Sequence, residues 1–118
     1  MEKISLTELA AKETITARDA TSGRGAHTVF GNHTTTLRQT VIALAAGQLL
    51  HEHNSPGDAT LQILSGRVRL AAGDDAGDAG AGELVIIPNA RHSLEALEDS
   101  VILLTVAKLG DVPSSPAG

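Results

Sequence analysis

Residues 47–66 read GQLLHEHNSPGDATLQILSG, two apolar runs separated by a polar hinge and bounded at each end by glycine. The first run, residues 49–54, carries His51 and His53. In an extended chain, side chains two apart leave the same face of the sheet. Ser55-Pro56-Gly57-Asp58 has proline second and glycine third, the chemistry of a type II turn. The second run, residues 59–64, reads as a strand that breaks at Ser65-Gly66. The same punctuation continues on both sides, and residues 26–30, 37–45, 67–71, 83–88, 92–97 and 101–108 all read as strands. Residues 73–82 contain only Gly, Asp and Ala, which suggests a hairpin region with at most a weak short strand.

A helix opens the chain. Ser5-Leu6-Thr7-Glu8 fits a capping box, and the helix should run to residue 19 or 20 before Ser22-Gly23 and Gly25 end it. Leu6, Leu9, Ala10, Ile15 and Ala17 make its apolar face, thin enough to suit an outlying cover. The organisation expected is residues 1–25 as helix and connector, 26–109 as a β-barrel, and 110–118 as a disordered tail rich in Pro and Ser. The fold class is all-β, a small barrel or sandwich with one short N-terminal helix. Residues 84–87 and 101–106 are apolar at consecutive positions, the mark of a strand buried on both faces. One face would look into the barrel; the other needs the helix or a second subunit, and a homodimer is expected.

Composition removes several function classes. A chain of 118 residues holds one domain, and its net charge of -5 lacks the clustered cations that nucleic acid requires. The absence of cysteine excludes disulfides, thiolate metal sites and a cysteine nucleophile. Phe30 is the one aromatic residue, so stacking platforms are excluded. No apolar run is long enough to span a bilayer, and no export signal is read at the start, so a cytoplasmic location is expected. No glycine-rich phosphate loop precedes a helix, and Ser93 lacks the elbow and acid partner of a nucleophile.

The chemistry concentrates on histidine. His92 starts a later strand after Pro88-Asn89-Ala90-Arg91, and closure into a barrel would bring it to the face shared by His51 and His53. Three neutral imidazoles leave coordination positions for water or substrate. The segments 47–66 and 82–92 together resemble the two motifs of the cupin superfamily, over about residues 37–106. That resemblance implies a small single-domain cupin, a double-stranded β-barrel of jelly-roll type. It also implies a divalent metal ion (Fe, Zn, Mn, Ni or Cu) on His51, His53 and His92. Two positions depart from the family pattern. Ala59 stands where the family has a glutamate ligand, and Ala90 stands where a glycine is frequent. Asp58, on the turn, and Gln62, of opposite parity, do not replace the carboxylate.

Cupins include dioxygenases, isomerases, decarboxylases, storage proteins and ligand-sensing domains, so the resemblance implies a small-molecule ligand or substrate without fixing a reaction. The alternative is a metal-free barrel that binds or senses a ligand without turnover, its histidines a polar pair at the mouth. Elsewhere, His27 and His33 read as exposed turn histidines, and Glu52 as solvated. Arg67 and Arg69 form a basic face opposite Val68 and Leu70. An arginine at the mouth, whether one of these or Arg38 or Arg91, could hold a carboxylate. Asp74, Asp75 and Asp78 lack the ligand spacing of a calcium loop. Ala43, Ala59, Leu61, Ile63 and Val68 are expected to line a small aliphatic interior.

Overall fold

The computed structural model describes residues 1–51, 57–88 and 90–108. Among these, one helix, α1 (Leu6–Asp19), precedes strands β1 (Arg24–Phe30), β2 (Leu37–Leu44), β3 (Leu49–His51), β4 (Gly57–Ser65) and β5 (Arg67–Ala72). Strands β6 (Asp75–Gly80), β7 (Leu84–Ile86), β8 (Ser93–Ala96) and β9 (Ser100–Lys108) complete the series. They form two antiparallel sheets, ordered β1-β2-β9-β4-β7 and β3-β8-β5-β6, the jelly-roll arrangement expected. Residues 55 and 56 of the expected turn, and the tail 110–118, lie outside the described residues.

The larger sheet is apolar on both sides, because β9 is. Ile102, Leu104 and Val106 belong to the core between the sheets, whereas Val101 and Leu103 pack with Val41 and Ala43 beneath Leu6, Leu9, Ala10 and Ala17 of α1. The second face of β9 is therefore taken by the helix and gives no ground for a second subunit. The homodimer expectation is left resting on β7, where Val85, like Ile87 just beyond the strand, turns inward while Leu84 and Ile86 are 61% and 78% exposed. Ala43 was expected in the barrel interior and lies instead on the helix side of the sheet.

The start of α1 follows the cap signal, with the Glu8 N–H donating to Ser5 Oγ at 3.1 Å. The return bond from the Glu8 side chain is not among the described hydrogen bonds. Ile15, expected on the apolar face, is exposed, and Glu13 is buried in that stripe. The spacing 6, 10, 13, 17 follows the helical period, and position 15 does not. Gly25 of β1 makes room there, since a Cβ on it would stand 2.8 Å from the Glu13 carbonyl oxygen. Burial of the missing side chain's space is what lets helix and strand approach.

Asp99 fastens the far end of the helix to the barrel. Its carboxylate accepts from the Ala46 N–H and from Arg18 Nε, both at 2.9 Å. These bonds, the Ala46 amide first, hold the Asp99 carboxyl below its ordinary pKa. A depressed carboxyl contributes stability that is complete above its unfolded pKa and is lost as pH falls through the folded value. Urea midpoints should therefore drop on acidification, and Asp99→Asn should flatten that acid limb. An unchanged slope in the variant would remove Asp99 from the account.

The β5–β6 hairpin is more regular than its composition suggests. Residues 75–80, expected to hold at most a weak strand, pair with β5 along their whole length, from Arg67↔Gly80 to Ala72↔Asp75. That register leaves Gly73-Asp74 as a two-residue turn, with Gly73 at φ 62°. Low β propensity is overridden because β5 supplies a template ladder and Val68 anchors it in the core.

Candidate functional site

His92 immediately precedes β8 and shares the inward parity of Leu94 and Ala96. It is 7% exposed, and its Nδ1 lies 2.9 Å from the Ala90 carbonyl oxygen. A carbonyl only accepts, so Nδ1 carries the proton and the ring presents Nε2 as its free nitrogen. This bond also sets the ring's orientation, as an outer partner does for a ligating imidazole.

Two very different spaces adjoin His92. On the core side, Leu50, Leu61, Leu70, Ile87, Leu94 and Leu104 close around a void of about 10 Å³, at the lower limit for a single water. On this side of His92 the described side chains leave no room for a ligand. On the other side lies a cavity of about 240 Å³ between β6 and β7, the free edges of the two sheets. Leu70, Ala72, Ala79, Val85 and Pro88 give it apolar walls, with Asp75 and Asp78 on the β6 side. Its origin is the composition of β6. Gly77, paired with the inward Leu70, has nothing within 4 Å of where a Cβ would stand.

The other expected ligands are not gathered around His92 by the described residues. His51 ends β3 opposite Ser93, whereas its neighbour Leu50 is opposite Leu94 and packs into the core. Strand alternation then puts His51, which is exposed, on the outer face of the smaller sheet. His53 lies outside the described residues, as does Glu52. Ala59 does face inward beside Leu61 and Ile63, so the family's carboxylate position is apolar. Asp58, expected on the turn, is within β4, and both it and Gln62 take the opposite face. Among the described residues no group of three His, Asp or Glu is placed to hold a metal ion. Around the cavity they offer one buried imidazole, with Asp75 and Asp78 on the β6 side and Asp78 held by Arg69, and these do not form a three-ligand set for a divalent cation.

The arginines also stand apart from the cavity. Arg69 is on the outer face, where its guanidinium donates to Asp78 at 2.7 and 3.3 Å. The pairing raises the Arg69 pKa and lowers that of Asp78. Arg67, Arg38 and Arg91 are exposed, and none of the four lines the cavity. His27 and His33 are exposed as expected, but His27 lies within β1, opposite Val41, and not at a turn. What sequence reasoning missed is the seam itself, with Asp75, Gly77, Val85 and Pro88 around it. The signal was present in the sequence: six consecutive residues too small to fill an inner face. No helix among the described residues is long and apolar enough to cross a membrane.

No protein family model matches the chain, and no curated protein matches it. Solved structures do. A conserved protein of unknown function from Streptococcus pyogenes is 30% identical with a TM-score of 0.67, over 75% of this chain and 77% of that one. An RmlC-like cupin protein from Desulfovibrio desulfuricans is 25% identical with a TM-score of 0.60, over 71% of this chain and 81% of the other. A variant of salicylate 1,2-dioxygenase from Pseudoaminobacter salicylatoxidans superposes on 90% of this chain with a TM-score of 0.70 at 19% identity. This chain spans 34% of that longer one, and the likeness is one of fold.

Proposed function

The chain is a small cupin-fold domain, and from that premise we propose that it is a small-molecule-binding barrel whose ligand occupies the seam cavity between β6 and β7 against His92. The observation that carries this reading is the setting of His92: a buried imidazole, oriented through Nδ1, on the wall of an otherwise mostly apolar cavity. A few convergent polar groups in an apolar concavity are what a ligand site needs. Among the described residues, the core void beside that ring is too small for a ligand and the seam is not. Binding is the whole of the proposal; it assigns no reaction.

Gly77 supplies the test. It is in a strand, and its missing Cβ points into open space, so Gly77→Val should fold while filling the cavity. Small fragments that shift the amide resonances of Ala79, Val85 and His92 should bind at least about tenfold more weakly to the variant, the effect of losing roughly 1.4 kcal/mol of contact. Fragments that bind both proteins equally would end the seam reading.

The Nδ1–H bond of His92 favours a second reading, a divalent ion held by His51, His53 and His92. That ion would supply Lewis-acid or redox chemistry at the mouth. It would also require the His51 ring to leave the outer face on which strand alternation puts it. Metal analysis separates the two. The ion reading expects close to one metal per chain, lost in His51→Ala/His53→Ala without unfolding. Identical melting with and without chelator, at negligible metal content, favours the first.

A further inference from the structure

We propose that the seam cavity takes a compact organic cation, an ammonium head on an aliphatic body, in preference to a carboxylate of the same shape. This rests on the seam reading above and adds the charge of the ligand. At about 240 Å³ the cavity is below the roughly 300–1,000 Å³ of sites for drug-sized molecules. Its apolar walls, Leu70, Val85 and Pro88 among them, suit a short hydrocarbon chain.

The polar groups are all of one kind. Asp75 and Asp78 are the charged residues in the described lining, and no Lys or Arg is among them. Asp78 is engaged by Arg69 through both oxygens. Asp75 has neither an ion pair nor a hydrogen bond among the described residues, and its pairing with Ala72 gives it the inward parity of Gly77 and Ala79. His92 is buried, and with Nδ1–H committed to a carbonyl its neutral ring can only accept at Nε2. The cavity therefore offers acceptors and negative charge. An ammonium brings three donors and a positive charge, whereas a carboxylate brings two more acceptors and like-charge repulsion from Asp75. What a carboxylate has in its favour is the free edge of β6, where main-chain N–H groups other than that of Gly80, donated to Glu83, can meet it.

The experiment is an amide-shift titration of the whole protein with n-pentylammonium and with pentanoate, at about pH 8, where the alkylamine carries its charge and the carboxylate is ionised. Pentylammonium should shift Gly77, Ala79 and Val85 and bind at least about fivefold tighter than pentanoate, since one screened charge pair is worth about that factor. The preference should shrink towards unity in Asp75→Asn, and Gly77→Val should abolish binding of both probes. If pentanoate matches or beats the amine and Gly77→Val still blocks it, the cation assignment is overturned and the cavity stands. An amine preference undiminished in Asp75→Asn overturns the role of that carboxylate and with it the proposal. Shifts confined to residues outside the seam, or retained in Gly77→Val, overturn the seam reading itself.

Discussion

Ile102→Ala should lower the free energy of unfolding by about 4 kcal/mol, towards the upper end of what a large-to-small core substitution costs. Ile102 has no solvent exposure and sits in the first half of β9, in register with Ile42 of β2 on one side and Ile63 of β4 on the other. With a paired strand on each flank and a second sheet over its face, the backbone has little freedom to collapse into the space. The neighbouring Val101 is equally buried, but against α1. Val101→Ala removes two methyl groups beneath a movable helix and should cost about 2 kcal/mol. Equilibrium urea unfolding at constant m-value gives both numbers. A loss below about 1 kcal/mol for Ile102→Ala would mean a slip in register, because a one-residue shift exchanges the two faces of the strand.

Gly66→Ala should cost roughly 3 kcal/mol, by combining an unfavourable backbone conformation with a collision. Gly66 carries the chain from β4 in one sheet to β5 in the other, at φ 85°. A Cβ there would lie 2.7 Å from Ser100 Cα, and closer still to Ser100 Oγ and the Asp99 carbonyl. Ser100 has no latitude to retreat. Its hydroxyl accepts from the Arg67 N–H at 3.0 Å and donates towards the Arg67 and Glu98 carbonyls, pinning the start of β5 to the start of β9. Gly82 is the matched control, with φ 88° and nothing near its absent side chain. Gly82→Ala should lose only the conformational part, about 1 kcal/mol. Equal losses at the two sites would dismiss the collision.

Strand pattern carried most of the fold. The glycine punctuation around residues 47–66 and the doubly apolar residues 101–106 were enough to infer an all-β barrel or sandwich with one strand buried on both faces, whereas the jelly-roll form came with the cupin resemblance. The pattern was weaker where side chains say little. Residues 75–80 owe their strand to the ladder with β5, a partner that local composition does not reveal. On α1, the helical period excluded Ile15 from the stripe, but burial of Glu13 also needed the space beside Gly25, a contact made across the chain.

The site was legible only in part, for a related reason. Alternation says that residues 51 and 53 of a strand share a face, but it does not say which face. The pairing of Leu50 with Leu94 decides that for β3, and it sends His51 outward. His92 and Ala59 were readable as inward positions from the motif spacing, and both face inward. The cavity was not foreseen, since it arises from what β6 lacks.

The strand that opens this cavity also borders solvent along one side. An unpaired run of main-chain groups is a template on which other chains can add, and it promotes fibrous growth when it is long and greasy. β6 is built from aspartate, alanine and glycine alone, so it offers that template no oily surface and two negative charges instead. The six small residues that open the cavity also make the rim of the sheet a poor seed for aggregation.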